Sequence, residues 1–262
     1  MRIYLRQGDI VFSKQFVDTL REKGVILTRK DKFFRDGILI NHGNSKPISL
    51  GKKVKEFYVL NKPSAIHMCS NKMDNYNELK EFYPETCRAV VDTNEFPVLA
   101  KPIGGHHGYG IKKFDNIESL SKFLKTTNEK YIIQRYIPIK HEFRFNVLDR
   151  TVFQVSHKQR LDEVTDKDGY VFSYRSLGNN ARLSSNFWSF IKNVITNFHS
   201  AIGYDLADYC IDVMKGQDGE YYLSEINSAY GIGSYTLDKL LNTIDAKYMK
   251  GELEPYRVGT MK

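Results

Sequence analysis

Apolar residues at Phe12, Phe16, Val17 and Leu20 recur at helical spacing and Gly24 closes the segment, so the pattern predicts a helix over 12–23. Val25–Thr28 and Gly37–Asn41 read as short buried strands, and 41–47 reads as a connecting loop. The spacing over 61–83 is helical, with Pro63-Ser64 as its start, Lys72 in its middle and Pro84 as its breaker; a strand is expected over 88–92. A strand then delivers Lys101, a glycine-rich turn follows, and 111–114 begins another strand. Asp115-Asn116-Ile117-Glu118 has the form of a capping box ahead of a helix whose apolar face is Ile117, Leu120, Phe123 and Leu124. Tyr131–Ile137 is an apolar strand ending at Pro138, and 141–155 reads as two strands about a turn at Asp149-Arg150. The region 185–201 is the clearest helix, a last helix carries Leu237, Leu240, Leu241 and Ile244, and the charged tail after Tyr248 is expected to be loose.

Carboxylates meet strand patterns in the stretch 204–234. Asp208–Met214 and Tyr221–Ile226 are rich in strand formers, and Gly216-Gln217-Asp218-Gly219 between them is turn chemistry. Pairing Lys215 with Glu220 gives a four-residue loop and sets Asp212, Glu225 and Asn227 on one face. Such hard oxygen donors suit Mg²⁺, which takes one or two protein carboxylates and completes its shell with phosphates and water. Taken alone, the segment fits a solvated acidic hairpin equally well.

The second informative stretch is 96–114. Lys101 is followed by Gly104, Gly105, Gly108 and Gly110, and glycines let backbone N–H groups approach a phosphate while lysine supplies the counter-charge. Neither GxxxxGK[ST] nor a helix-opening GxGxxG occurs, so a P-loop and a Rossmann fingerprint are excluded. His106-His107 has no metal-ligand spacing to further donors.

Composition narrows the class without naming a substrate. The 262 residues can bury a sizeable core as one domain or two to three small lobes, and the three cysteines, Cys69, Cys87 and Cys210, lack CxxC spacing and read as packing residues. No apolar run reaches membrane-spanning length, so the expectation is a cytoplasmic protein without membrane partners. A net charge of +8 favours polyanions, and nucleotide phosphates, acidic peptides and nucleic acid all qualify.

The order of these features resembles the ATP-grasp superfamily, and within it the ligases that join a carboxylate to an amine, including ribosomal-protein glutamate ligases and D-alanine ligases. The resemblance runs from about Asn61 to Tyr235, with five loose motifs in the family's order. It implies an α+β / α/β ATP-grasp fold with a short N-terminal α/β lobe (1–60), a linker helix and small subdomain with a glycine-rich flap (61–137), and a large subdomain with the metal site (138–262). ATP would be held by Lys72, Lys101, Gly105, Gly108 and Gly110, by Gln134, Tyr136 and Ile137 in the hinge that touches adenine, and by Glu142 at the ribose. Mg²⁺, with Mn²⁺ as an alternative, would be held by Asp212, Glu225 and Asn227, which tips the hairpin towards the metal reading. Lys101, Arg144, Lys158, Arg175 and Asn180 are the residues placed at the chemistry. Arg135 stands where the hinge usually has an acid, and Tyr230 where an Asn-Ser-x-Pro-Gly run has proline.

The implied reaction activates a small-molecule or peptide carboxylate as an acylphosphate, which an amine then attacks. The excess positive charge leans towards an acidic acceptor, and the short N-terminal lobe leaves room for a homo-oligomer in which a second copy completes the acceptor site. A small-molecule kinase and a basic nucleic-acid-binding protein on the same fold are the competing expectations.

Overall fold

In the computed structural model, which describes residues 1–8, 12–33, 35–84, 86–87, 95–104, 110–160, 165–166, 169–170, 174–177 and 183–258, the N-terminal apolar runs pair as a parallel sheet. Its strands are β1 (Arg2–Gln7), β2 (Val25–Thr28), β4 (Gly37–His42) and β6 (Phe57–Val59), in the order β2-β1-β4-β6; β3 (Lys32–Phe33) and β5 (Ser49–Leu50) form a separate parallel pair. Ser13 caps α1 (Lys14–Glu22) by accepting the Phe16 N–H at 3.2 Å, and Gly24, at φ +70, ends it in the left-handed region where a β-carbon is disfavoured. Phe16 and Leu20 share a buried cluster with Leu237 and Leu240 of the last helix, while Phe33 and Val54 join Leu39 and Phe57 in a second cluster with Leu50 packed against it.

The long helix expected over 61–83 is two helices, α2 (Pro63–Ser70) and α3 (Lys72–Leu79). Asn71 separates them because its side chain caps α3, accepting the N–H groups of Met73 and Asp74. Lys72 therefore opens a helix instead of lying mid-helix, and its N–H donates to the Ile103 carbonyl.

A second sheet, in the order β7-β10-β8-β9, comprises β7 (Thr86–Cys87), β8 (Val98–Pro102), β9 (Lys112–Phe114) and β10 (Tyr131–Arg135), and α4 (Ile117–Thr126) buries Leu120 against Val98, Ala100 and Ile133. Asn116, one residue after the expected capping position, caps α4 through the Ser119 N–H. The strand expected over 88–92 lies outside the described residues, as do His106 and His107.

The largest sheet, β15-β12-β11-β16-β17, is antiparallel: β11 (Ile139–Leu148), β12 (Thr151–Arg160), β15 (Tyr174–Leu177), β16 (Asp208–Gly216) and β17 (Tyr221–Asn227); β13 (Thr165–Asp166) and β14 (Gly169–Tyr170) form a pair of their own. Asp149 (φ 44) and Arg150 (φ 63) make the expected turn, both in the left-handed region that matches strand twist in a two-residue hairpin. Alternation gives the sheet two faces. Phe143, Phe145, Ile211 and Val213 pack on Phe187, Ile191, Val194 and Phe198 of α5 (Ser185–Ile202), leaving the residues between them for the other face.

As far as Val258 the C-terminal tail is docked, contrary to the expectation of a loose one. Beyond α6 (Ser234–Met249), Leu253 and Tyr256 are buried, the Tyr256 hydroxyl donates to Asp149 at 2.6 Å, and Val258 N–H bonds the Phe57 carbonyl. Charge in the tail concealed two apolar anchors. Among the described residues no helix is long and apolar enough to cross a membrane.

Candidate active site

Strand register builds the site. Arg144 on β11 stands opposite Asp212 on β16, Glu142 opposite Lys158 on β12, and Asp212 opposite Glu225 on β17. The hairpin is not the four-residue loop expected: Lys215 pairs with Tyr221, and the Gly216 N–H bonds the Glu220 carbonyl. Continued unbroken, that register would set Ser224 opposite Asp212 and turn Glu225 to the face of Ile211. A bulge intervenes, since Val213 pairs with Leu223 but Asp212 with Glu225. The extra residue, Ser224, brings the two carboxylates together.

Asp212, 2 % exposed, accepts both ends of the Arg144 fork, Nε to Oδ1 at 2.8 Å and Nη2 to Oδ2 at 2.7 Å, and the Lys158 ammonium at 2.6 Å. Lys158 also donates to Glu142 Oε1 at 2.7 Å. Burial opposes ionisation of Asp212, but the two cations outweigh it and hold the carboxyl well below the usual range. Lys158 and Arg144 are held above their ordinary values against the same burial, chiefly by Asp212.

Lys101, at the buried end of β8, has its pKa pushed down to about 8 by burial, with Lys72 adding to the effect and Glu225 and Glu142 opposing it. Lys72 Nζ lies 3.8 Å from Glu225 Oε1, so the carboxylate ties Lys72 to the large sheet. Asn227 follows on β17 two residues after Glu225, opposite Cys210. The donor set of Asp212, Glu225 and the Asn227 amide has the chemistry Mg²⁺ accepts; Asp212 already receives three hydrogen bonds, and its oxygens carry lone pairs enough to share with a cation. Among the described residues no group of three or more His, Cys, Asp or Glu converges as a metal cluster.

Gln134 is buried in the second half of β10, and Ile137 is buried just beyond the strand. Tyr136 is half-buried beneath the Lys113 ammonium, 4.8 Å from its ring centroid, and its N–H donates to the Pro97 carbonyl. Arg135, the departure in the hinge, turns aside to the Tyr222 hydroxyl at 3.4 Å and to Glu95. Gly110 needs its φ of +74, and a β-carbon there would meet Pro102 Cγ at 2.8 Å, next to Lys101. Arg175 lies on β15 in register with Gln159 of β12, beside the Ser176–Lys158 pair. Gly105, Gly108 and Asn180 lie outside the described residues.

A buried chain beside the site has no signature in the residue pattern. The Tyr230 hydroxyl donates to Asp208 Oδ1 at 2.5 Å, and the Tyr230 carbonyl meets His42 Nε2 at 2.8 Å. Tyr230 thus fills the position expected for proline with a side chain that ties the loop after Asn227 to Asp208 at the start of β16, while its carbonyl ties the loop to β4. Burial raises Asp208 to about 7 and lowers His42 to about 4.

The sequence profile of the ATP-grasp domain, R2K clade family 2, matches residues 83–243. The chain belongs to the ATP-grasp family. No curated protein matches it in sequence. D-alanine–D-alanine ligase from Bacillus anthracis shares its fold with a TM-score of 0.63 at 16% identity, over 97% of this chain and 99% of that one. N5-carboxyaminoimidazole synthetase from Staphylococcus aureus, in complex with ADP, gives 0.62 at 12% identity over 89% and 71%. L-amino acid ligase from Bacillus licheniformis gives 0.54 at 14% over 88% and 67%. At these identities the likeness is one of fold, and all three share the ATP-grasp architecture with this chain.

Proposed function

We propose that this ATP-grasp protein is an ATP-dependent ligase that joins a carboxylate to an amine and releases ADP and phosphate. The observation that carries the reading is the alignment of four cations, Lys72, Lys101, Arg144 and Lys158, with Glu142, Asp212 and Glu225 along one side of the large sheet. That arrangement suits a polyphosphate with its cation, and the named ligases of the same fold support the choice of reaction.

Lys101 and Lys72 neutralise the phosphates, and Gln134, Tyr136 and Ile137 line the adenine side, with Glu142 near the ribose. Asp212, Glu225 and Asn227 would hold Mg²⁺, which supplies charge neutralisation on the transferring phosphoryl group. An oxygen of the substrate carboxylate attacks the γ-phosphorus and ADP leaves. The amine then adds to the acyl carbon, loses a proton, and inorganic phosphate departs as the amide forms. Arg144 supplies a planar fork that matches carboxylate and phosphate oxygens, and Lys158 a point charge beside it.

Wild type and Lys101→Ala are incubated with ATP, Mg²⁺ and pooled amino acids and short peptides, and products are read by mass spectrometry. A new mass equal to acid plus amine minus water, formed with ADP and phosphate by wild type alone, is the expected result. A stable phosphorylated product without amide overturns the ligase reading.

A further inference from the structure

Between positions 29 and 56 the chain carries eight lysines and arginines against three acidic residues, a large part of its net charge of +8. The parallel pairing of β3 with β5 gathers these charges. Both strands start at the same end, so Arg29 and Lys30, which precede β3, lie with Lys46, which precedes β5. At the other end Arg35 follows β3, and Lys52, Lys53 and Lys55 follow β5. Each paired strand is two residues long, about 7 Å, so the two groups of cations are close. All seven are exposed.

The acids among them are turned to internal work. Asp31 receives the buried Arg6 guanidinium, and Asp36 accepts the N–H groups of Lys55 and Glu56 at 2.6 and 2.9 Å. Glu56 accepts the hydroxyls of Tyr58 and Tyr248. The positive field of the surface is therefore poorly offset from within.

We infer that this face binds the phosphate backbone of a nucleic-acid duplex without reading its sequence. Two observations favour that partner over an acidic polypeptide. Protein interfaces depend on apolar and aromatic anchors and are depleted in lysine. Here five of the seven flanking cations are lysine, while Phe33, Val54 and Phe57 are buried in the core and, among the described residues, no exposed large hydrophobic residue falls within 29–56. Single strands are held by stacking on aromatic rings, and among the described residues of this segment no aromatic ring is exposed. Backbone contacts to a duplex need only the charges.

Buried hydrogen bonds tie this segment to the first sheet and, through it, to the loop after Asn227. Arg6 holds the carbonyls of Lys46 and Pro47, and His42, at the end of the same sheet, meets Tyr230 beyond the carboxylate hairpin. Duplex binding by this face does not depend on the ligase reading, because it is measured without nucleotide.

The full chain is titrated against fluorescent 20-base-pair DNA and RNA duplexes of mixed sequence, a single strand, and polyglutamate, across a salt series. Expected are duplex binding that is indifferent to sequence and a linear fall of log affinity with log salt. Lys30→Gln/Lys46→Gln/Lys52→Gln/Lys53→Gln should lower that slope by about 3.6, near 0.9 for each phosphate no longer neutralised, and reduce affinity at least ~100-fold at low salt while ATP binding is retained. A preference for the DNA or the RNA form assigns the source of the backbone. No duplex binding at low salt, an unchanged slope in the variant, or tighter binding of polyglutamate each overturns the inference.

Discussion

Removing the Asp212 carboxylate separates what holds the site together from what it binds. Asp212→Ala strips three charge-assisted hydrogen bonds of 2.6 to 2.8 Å and leaves the Lys158 ammonium, with 8 % of its side chain exposed, facing Glu142. Deleting one partner of a buried ion pair costs about 3–5 kcal/mol. The Arg144 side chain is 26 % exposed and can partly hydrate, so the lower end, about 3 kcal/mol, is expected. For a chain of this size that lowers the melting temperature by about 6–12 °C. Glu225→Ala loses the 3.8 Å approach of Lys72, from a carboxylate 32 % exposed, and should cost less than about 1 kcal/mol. Both variants should lose Mg²⁺-dependent nucleotide binding, but only the first should melt early. Thermal unfolding by circular dichroism, without nucleotide or metal, reads the difference. Asp212→Leu with Arg144→Met, which removes that pair and leaves Lys158 bound to Glu142, should recover at least half of the loss. An Asp212→Ala variant that melts within about 2 °C of wild type, or a double variant less stable than the single one, refutes this account.

Three further outcomes are expected. Lys101 titrates near 8 in the free protein and bound phosphates raise that value, so nucleotide affinity should fall by up to about tenfold per pH unit above 8; calorimetric titration that is flat between about pH 7 and 9.5 contradicts this. Asp208 keeps its proton to about 7 when folded but loses it near 4 when unfolded, so the folded state binds more protons in that window and stability falls as pH rises through it, by up to about 4 kcal/mol. Asp208→Asn should flatten that part of the profile, as read by urea unfolding at about pH 5 and pH 8. Gly43→Ala would place a β-carbon 2.6 Å from that of Ala229 at a φ of +72, and Ala229→Gly should rescue the clash but not the backbone strain, leaving the double variant between wild type and the single one in melting temperature.

Elements with a strong period are legible from the residues alone. The helix at 185–202 and the hairpin turn at Asp149-Arg150 follow from residues that are local in sequence. The break at Asn71 is hidden because the apolar spacing continues across it, and only the side-chain cap shows that one helix has ended. The carboxylates of the site are legible as residue types, but the register that sequence spacing suggests for their convergence is replaced in the fold by a different one plus a bulge. The Asp208, Tyr230 and His42 chain cannot be read, because burial of a carboxylate depends on strands far apart in sequence. Arg6 is the same case: an arginine in a short strand reads as surface, yet it is fully buried and holds the loop that sequence spacing presents as a plain connector.

The bulge at Ser224 makes the site a matter of parity. Most substitutions along β17 alter one side chain and leave the others where they are. Closing the bulge with Ser224 kept in the ladder would instead exchange the two faces of everything that follows, turning Glu225 and Asn227 to the packed interior and bringing Ser224 and Ile226 out beside Asp212. Deletion of Ser224 itself keeps Glu225 opposite Asp212, so the constellation depends on one residue being passed over in the ladder, and pairing that residue erases the site while every one of its members is still present in the chain.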